Sequence, residues 1–272
     1  MGIRRTSRDS AVVAAGVLLA LTACGSADNS SSSSAGPNLG LFESGTLTVG
    51  SDISYAPQEF YDANQKPTGF DLDIAQAIAR KMGLQYKVIN QGFDGIIPAL
   101  NAKKFDVIVS AMSITDKRKE SVSFVPYFSA GEAFVVKKSG TYMPKQLTDL
   151  CGHSVAVEKG TAEADEVATV KCPNGGAPNA QTYATDTEAS EQISKGSVDV
   201  YFTDSPVAAY DVQRKSDLMQ SSDVFETAPE GIAVRKDNPA LLSAVQKAFN
   251  DIKADGEYKS ILAKWNVSSG AI

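Results

Sequence analysis

The sequence predicts an α/β fold made of two lobes that face each other across a cleft, and three observations carry that expectation. Short apolar strands alternate with helical segments along most of the chain. Several strands break into hydroxyl and carboxylate residues at their C-terminal ends, where open α/β sheets hold ligands. Two well-separated stretches, GIIPALNAKKFDVIVSAMSIT and EASEQISKGSVDVYFTDSPVA, share one order: helix, lysine-containing turn, then a Phe/Val-Asp-Val strand.

The elements follow in chain order. Leu47 to Gly50 is a short strand that ends in a Gly-Ser-Asp turn. Gly69-Phe70-Asp71 leads into a helix whose apolar positions Ile74, Ile78 and Met82 recur every fourth residue. Tyr86 to Ile89 reads as a strand and Ile96 to Ala102 as a helix. Asp106 to Val109 is a third strand, breaking into Ser110-Ala111-Met112-Ser113. Val155 to Val157 is a strand that leads to Gly160-Thr161 and a polar helix. Thr185-Asp186-Thr187-Glu188 has capping-box spacing and opens a helix to about Lys195. Val198 to Phe202 is a strand ending at Thr203-Asp204-Ser205-Pro206. Asn238-Pro239 is a cap with a first-turn proline, and the helix it starts lines up Leu241, Leu242, Val245, Phe249 and Ile252.

The N-terminus reads as an export signal over residues 1–23. Arg4, Arg5 and Arg8 precede the apolar run Ala11 to Leu21, and small residues follow at Thr22-Ala23. That run is shorter than the roughly 20 apolar residues a bilayer span needs. Leu21-Thr22-Ala23-Cys24 resembles the bacterial lipobox, which implies a lipid on Cys24 and anchoring to the outer face of the cell membrane; an ordinary secretory signal that happens to contain a cysteine is the lesser alternative. Arg4-Arg5 leaves general and twin-arginine export both open. Residues 24–40 form a Ser-rich segment without apolar periodicity, read as a flexible linker.

The formal charge of −6 and the lack of any basic stretch argue against a nucleic-acid partner. With Cys24 assigned to the lipid, Cys151 and Cys172 remain as an even pair, which in an exported chain suggests a disulfide. Metal binding competes for these cysteines, but the single histidine, His153, does not supply the three or four spaced ligands of a zinc site. No metal or cofactor is expected.

The chain resembles the solute-binding proteins of ABC importers, specifically the polar amino-acid branch (solute-binding protein family 3). GFDLDIAQAIARKMG (69–83) looks like the family signature. SDISYAP (51–57), GIIPALNAKKFDVIVSAMSITDKR (95–118), GTAE (160–163), VDVYFTDSP (198–206) and NDIKADGEYKSILAKWN (250–266) follow the family in the same order. The resemblance implies a type II periplasmic-binding-protein fold with a hinge of crossover strands. Residues 41–134 with 230–272 would form one lobe and residues 135–229 the other. It further implies an amino-acid ligand, delivery to the membrane subunits of an ABC permease, and a monomer that is not an enzyme.

The site residues follow from the same resemblance. Arg118 matches the guanidinium that clamps the ligand's α-carboxylate, assisted by Ser110, Ser113 and Thr161. Asp204 matches the acid that takes the α-ammonium; capping of the helix after Pro206 is its alternative role. Tyr55 matches an aromatic stacked on the ligand, or is simply core. Asp52 matches an acid that contacts the side chain in basic amino-acid binders, and Glu163 and Phe60 complete the expected set. Asp71 and Asp73 read as helix-start residues. The chain departs from the family pattern at Ala111 and Ala162, where hydroxyl residues are common, and at Glu158 and Glu163, where neutral residues are common. The resulting surplus of negative charge points to arginine, lysine or ornithine. An enzyme on the same fold, such as a cyclohexadienyl-type dehydratase, is the alternative function.

Overall fold

The computed structural model describes residues 38–173 and 175–272. The signal segment, Cys24 and the linker up to residue 37 lie outside the described residues. Among the described residues, no helix is long and apolar enough to cross a membrane.

The first strands and helices form where the apolar periodicity places them. Strand β1 (Thr46–Ser51) is wholly buried, and the two-residue strands β2 (Phe60–Tyr61) and β3 (Pro67–Thr68) pair as a small hairpin. Helix α1 (Phe70–Lys81) follows. Gly69 enters it at φ 143°, and a Cβ there would collide with the Gln58 carbonyl, so the turn accepts only glycine. Then come β4 (Gln85–Asn90), α2 (Ile96–Asn101), β5 (Val107–Ile108) and the one-turn α3 (Asp116–Lys119).

The long strand β6 (Val122–Lys137) carries the chain into the second half. There β7 (Ser154–Glu158), α4 (Ala162–Thr169), β8 (Asn179–Tyr183), α5 (Asp186–Lys195) and β9 (Val200–Asp204) repeat the strand-helix alternation. Helix α6 (Ser205–Arg214) and strand β10 (Leu218–Gln220) follow. Strand β11 (Phe225–Arg235) returns beside β6, and α7 (Pro239–Ala254) and α8 (Glu257–Trp265) close the chain.

All strands except the hairpin belong to one sheet in the order β4-β1-β5-β11-β6-β9-β7-β8, with β10 also pairing β6. Each end of the sheet has the same internal order. β1 lies parallel between β4 and β5, and β7 lies parallel between β8 and β9. The antiparallel β6–β11 ladder joins the two ends, with register shifts near Phe225 and at Glu230/Gly231. The two look-alike stretches of the sequence are thus α2–β5 and α5–β9, the third strand of each end with its preceding helix.

Alternate side chains along each strand point to opposite faces, and both faces of both ends carry apolar clusters. At the β1 end, Leu47, Val49, Phe70 and Phe249 pack on one face and Ile96, Leu100, Phe105 and Ile108 on the other. At the β7 end, Ala156, Ile193 and Tyr201 pack on one face, and Val155, Val157 and Phe202 on the other.

Expected boundaries hold to within about two residues, the usual scatter of helix and strand ends. The strand read as Val198 to Phe202 runs instead from Val200 to Asp204. Thr185 caps α5 by accepting from the Glu188 N–H at 3.3 Å, but the Glu188 carboxylate reaches Ala184 rather than Thr185, so the capping box is not reciprocal. Asn238 caps α7 through the Leu241 N–H at 3.1 Å.

Cys151 and Cys172 form a disulfide, with Cα atoms 5.8 Å apart across a separation of 21 residues. It ties the loop after α4 to the residues just before β7. Closing a loop of this length contributes about 3 kcal/mol in the chain-entropy model. Reduction should therefore lower unfolding stability by about that amount, read as a lower midpoint in urea titrations with and without a thiol reductant.

Candidate functional site

Four strands end at one cleft. Asp52 follows β1, Ser110 follows β5, Glu158 ends β7 and Asp204 ends β9. Because strands of one end of the sheet point at strands of the other, their carboxyl ends meet across a narrow cleft. Tyr55, Glu59, Phe93, Ala111, Ser113, Arg118, Thr161, Ala162 and Glu163 complete its wall. A second hollow of about 250 Å³ shares Phe93, Arg118 and Ala162 with it and opens beside Ile97, Pro98 and Thr115.

Arg118 is placed by the short helix α3, which Thr115 caps by accepting from the Arg118 N–H at 3.2 Å. Its guanidinium donates to the Ser113 carbonyl at 2.8 Å and to the Gly160 carbonyl at 3.1 Å, one from each end of the sheet. It also lies 5.2 Å from the centre of the Phe93 ring, a cation–π contact. A guanidinium carries five N–H donors in a planar fork, so these contacts fix its plane and leave donors for an anion. Burial pulls its pKa down and the nearby Glu163 and Asp204 oppose that pull; arginine remains a cation throughout the physiological range.

The loop after β5 is shaped from behind by buried acids. Ser110 accepts from the Asp52 N–H at 2.9 Å and donates to Glu59 at 2.6 Å. Ala111 adopts φ 40°, an unusual conformation for a residue with a Cβ. Its N–H donates to the Asp71 carboxylate at 2.7 Å, and the Tyr127 hydroxyl donates to the same oxygen at 2.6 Å. Asp71 therefore does more than open a helix: it holds the loop that presents Ser110 and Ser113. Asp73 turns away and accepts from Lys264 and Trp265 on α8, each at 2.6 Å.

At the β9 end, the Tyr55 hydroxyl donates to Asp204 at 2.8 Å and accepts from the Asp204 N–H at 3.1 Å. Asp204 occupies the N-cap position of α6 but makes no side-chain cap bond, so its carboxyl group is committed to the cleft. Burial, then the Glu163 carboxylate, push its pKa well above the usual range, with Tyr55 working against them. Thr161 caps α4 by accepting from the Ala164 N–H at 3.2 Å and donates to the Glu158 carbonyl at 2.9 Å. Glu158 is pushed up to about 11 by burial and by the Asp52 carboxyl it faces.

Eight of the nine residues expected at the site line this cavity: Arg118, Asp204, Ser113, Ser110, Thr161, Tyr55, Asp52 and Glu163. Phe60 does not line it. Its ring packs 5.9 Å from both Tyr210 and Trp265, because the β2–β3 hairpin turns it toward α6 and α8. Sequence reasoning missed Phe93 and Glu59. Phe93 sits in a short turn of 3₁₀ helix before α2, and Glu59 lies two residues after Pro57 in an irregular loop, so no periodicity marked either. His153 is remote from the cleft, stacked on Tyr142 at 3.7 Å.

Two lobes meeting at a polar cleft on the strands' carboxyl ends define a binding protein of the periplasmic type II class. The described chain matches the family model "Bacterial extracellular solute-binding proteins, family 3" over residues 47–268, and it belongs to that family. ABC transporter arginine-binding protein 1 of Escherichia coli is 32% identical over 227 residues, covering 80% of this chain and 90% of that protein. Holo ArgBP of T. maritima superposes with a TM-score of 0.74 at 37% identity, covering 81% of this chain and 96% of that one. An ancestral amino-acid-binding protein, a precursor of cyclohexadienyl dehydratase, superposes with a TM-score of 0.74 at 38% identity, covering 81% and 95%. The relatives are substrate-binding proteins rather than enzymes.

The buried acids set a pH dependence of stability. Asp71 is raised to about 6 and Asp186, beside Asp204, to about 8, in both cases first by burial. The folded protein thus keeps protons that the unfolded chain releases from about pH 4 upward. Their contribution is greatest below that pH and is lost as pH rises through about 6 and 8. Without added ligand, the urea midpoint should fall between pH 5 and pH 8, and Asp186→Asn should flatten the upper part of that decline.

Proposed function

We propose that the protein is the lipid-anchored, extracytoplasmic receptor of an ABC importer and captures an amino acid with a cationic side chain. The carrying observation is the charge of the cleft: Arg118 is the one cation in a lining with five carboxyl groups, Asp52, Glu59, Glu158, Glu163 and Asp204. Arg118 takes the α-carboxylate, helped by Ser110, Ser113 and the capped start of α4 at Thr161. Asp204 takes the α-ammonium, with Tyr55 holding it in place. Asp52 and Glu158 face the side chain, and arginine, lysine or ornithine matches their charge. Relatives named as arginine-binding proteins support this assignment.

Capture works by closure of two lobes, residues 41–134 with 230–272 against 135–229. Exposed contacts span them at the rim: Lys117 with Asp165 at 2.7 Å, Lys159 with Asp94 at 2.9 Å, and the Thr187 hydroxyl on the Ser54 carbonyl at 2.9 Å. Deeper in, the buried Tyr55 hydroxyl donates to the Asp204 carboxylate and accepts from its N–H. Exposed ion pairs contribute about 0–1 kcal/mol each, too little to decide closure alone. A ligand held by both lobes shifts the population instead. The lipid on Cys24 and the Ser-rich linker would keep the receptor near its permease while leaving it free to turn.

The dehydratase reading draws on the likeness to the ancestral precursor. Turnover of prephenate by the purified protein would overturn the receptor reading.

Calorimetric titration should rank arginine, lysine or ornithine above glutamine and glutamate; the reverse order would sink the cationic-ligand assignment. Arg118→Ala should remove a buried charge partner that typically supplies about 2–5 kcal/mol. Binding near micromolar then falls beyond practical concentrations while circular dichroism stays unchanged, and normal binding by this variant would refute the carboxylate clamp.

A further inference from the structure

An apolar seam joins the two ends of the sheet on the side of the cleft where α6 starts. Its inner part is buried: Tyr55, Ala111 and Val207 of α6 form one apolar cluster. Its outer part is aromatic. The Phe60 ring lies 5.9 Å from Tyr210 on α6, tilted at 50°, and 5.9 Å edge-on to Trp265 on α8. Tyr210 and Trp265 both line a hollow of about 230 Å³ that is open between them, and Phe60 is the ring in contact with each. Phe60 and Trp265 belong to the β1 end, Tyr210 to the β9 end.

Each side of this contact is tied to a cleft residue. Phe60 follows the loop that carries Tyr55. That loop closes on itself, with the Tyr55 N–H on the Glu59 carbonyl at 2.7 Å and the Glu59 N–H on the Tyr55 carbonyl at 3.1 Å. Trp265 braces Phe60 and is itself held by Asp73, which accepts its Nε1–H at 2.6 Å. Tyr210 stands six residues after Asp204, on the helix that Asp204 opens, about 9 Å along the axis. A movement that parts Tyr55 from Asp204 therefore also parts Phe60 from Tyr210.

We propose that Phe60 is a positioning residue for capture: by packing on Tyr210 of the opposite lobe, it holds part of the ligand-free population closed while touching no ligand. A ligand that needs both lobes binds only the closed fraction, so its apparent affinity scales with that fraction. The aromatic latch then raises affinity for every ligand of the cleft by one common factor. The choice among ligands stays with Arg118 and the acids. The inference rests on capture by lobe closure, as proposed above, and not on which amino acid is captured.

The test compares the wild type with Phe60→Ala and Tyr210→Ala, using small-angle X-ray scattering without ligand and calorimetric titration with L-arginine and L-lysine. Each variant should have a larger radius of gyration than the ligand-free wild type, and saturating arginine should return it to the wild-type bound value. Affinity for arginine and for lysine should fall by the same factor, about two- to tenfold, the range of an aromatic pair. The double variant should bind no more weakly than either single one, because both remove the same contact. Tyr210 is only half-buried, so Tyr210→Ala decides the matter if Phe60→Ala unfolds. Unchanged dimensions and affinities overturn the proposal, and so does an arginine-to-lysine ratio that shifts in the variants. If the wild type binds neither amino acid, the cationic-ligand reading falls, and the ligand-free scattering comparison alone decides the latch.

Discussion

Arg118 shares its cleft with five carboxyl groups, and that imbalance conditions everything around it. A buried carboxyl group is costly unless it is hydrogen-bonded, protonated or paired. The fold meets that demand locally for most of them. Glu59 accepts from Ser110, Asp204 from Tyr55, and Asp52 from Ser54 and Phe93. Two oxygens are left buried without a partner, the second oxygen of Glu59 and the Oε1 of Glu158. The donors that serve the others are backbone or hydroxyl groups in the loops after β1 and β5 and in the short turn before α2. The sheet must therefore bring β1, β5, β7 and β9 to one point before the site exists.

The joining ladder of β6 and β11 makes that possible, and it is also the part of the fold hardest to read from the chain. β6 contains Pro126 and Gly131, residues that ordinarily weaken a strand. Pro126 sits at the register shift opposite Gly231, where the ladder is already irregular. Gly131 is required because a Cβ would press on Val224 and the Phe225 carbonyl. Both residues mark places where distant segments of the chain approach closely, a long-range fact that local pattern does not encode. β8 was equally silent, since NAQTY alternates without a strong apolar face.

The legible parts were those with a local physical signature. Alternation and fourfold apolar spacing placed β1, α1 and α7, capping-box spacing placed α5, and Thr115, Thr161 and Asn238 are caps visible as residue types. The cleft residues were legible mainly through resemblance, because Arg118 in Asp-Lys-Arg-Lys-Glu looks like any solvated helix face. Phe60 lies outside the lining for a related reason. A short aromatic segment near the site says nothing about which way its hairpin turns, and here it turns toward Tyr210 and Trp265. Asp71 was placed correctly on α1, but its bonds to Ala111 and Tyr127 required knowing that β5 and β6 pass beside that helix.

The same imbalance bears on why a cleft of this kind would close on a cation and not on itself. Bringing the lobes together gathers carboxyl groups from both into a region with little water, where their repulsion is strongest. The contacts at the rim are exposed ion pairs worth about 0–1 kcal/mol each, so they do not offset that repulsion by themselves. Protons can, but a proton neutralises one charge and offers no reach. A basic amino acid brings two positive groups set apart along one chain, and its single carboxylate meets the one guanidinium. Under the proposed reading, closure and selectivity are therefore the same electrostatic event: the ligand that best neutralises the cleft is also the one that most favours the closed form.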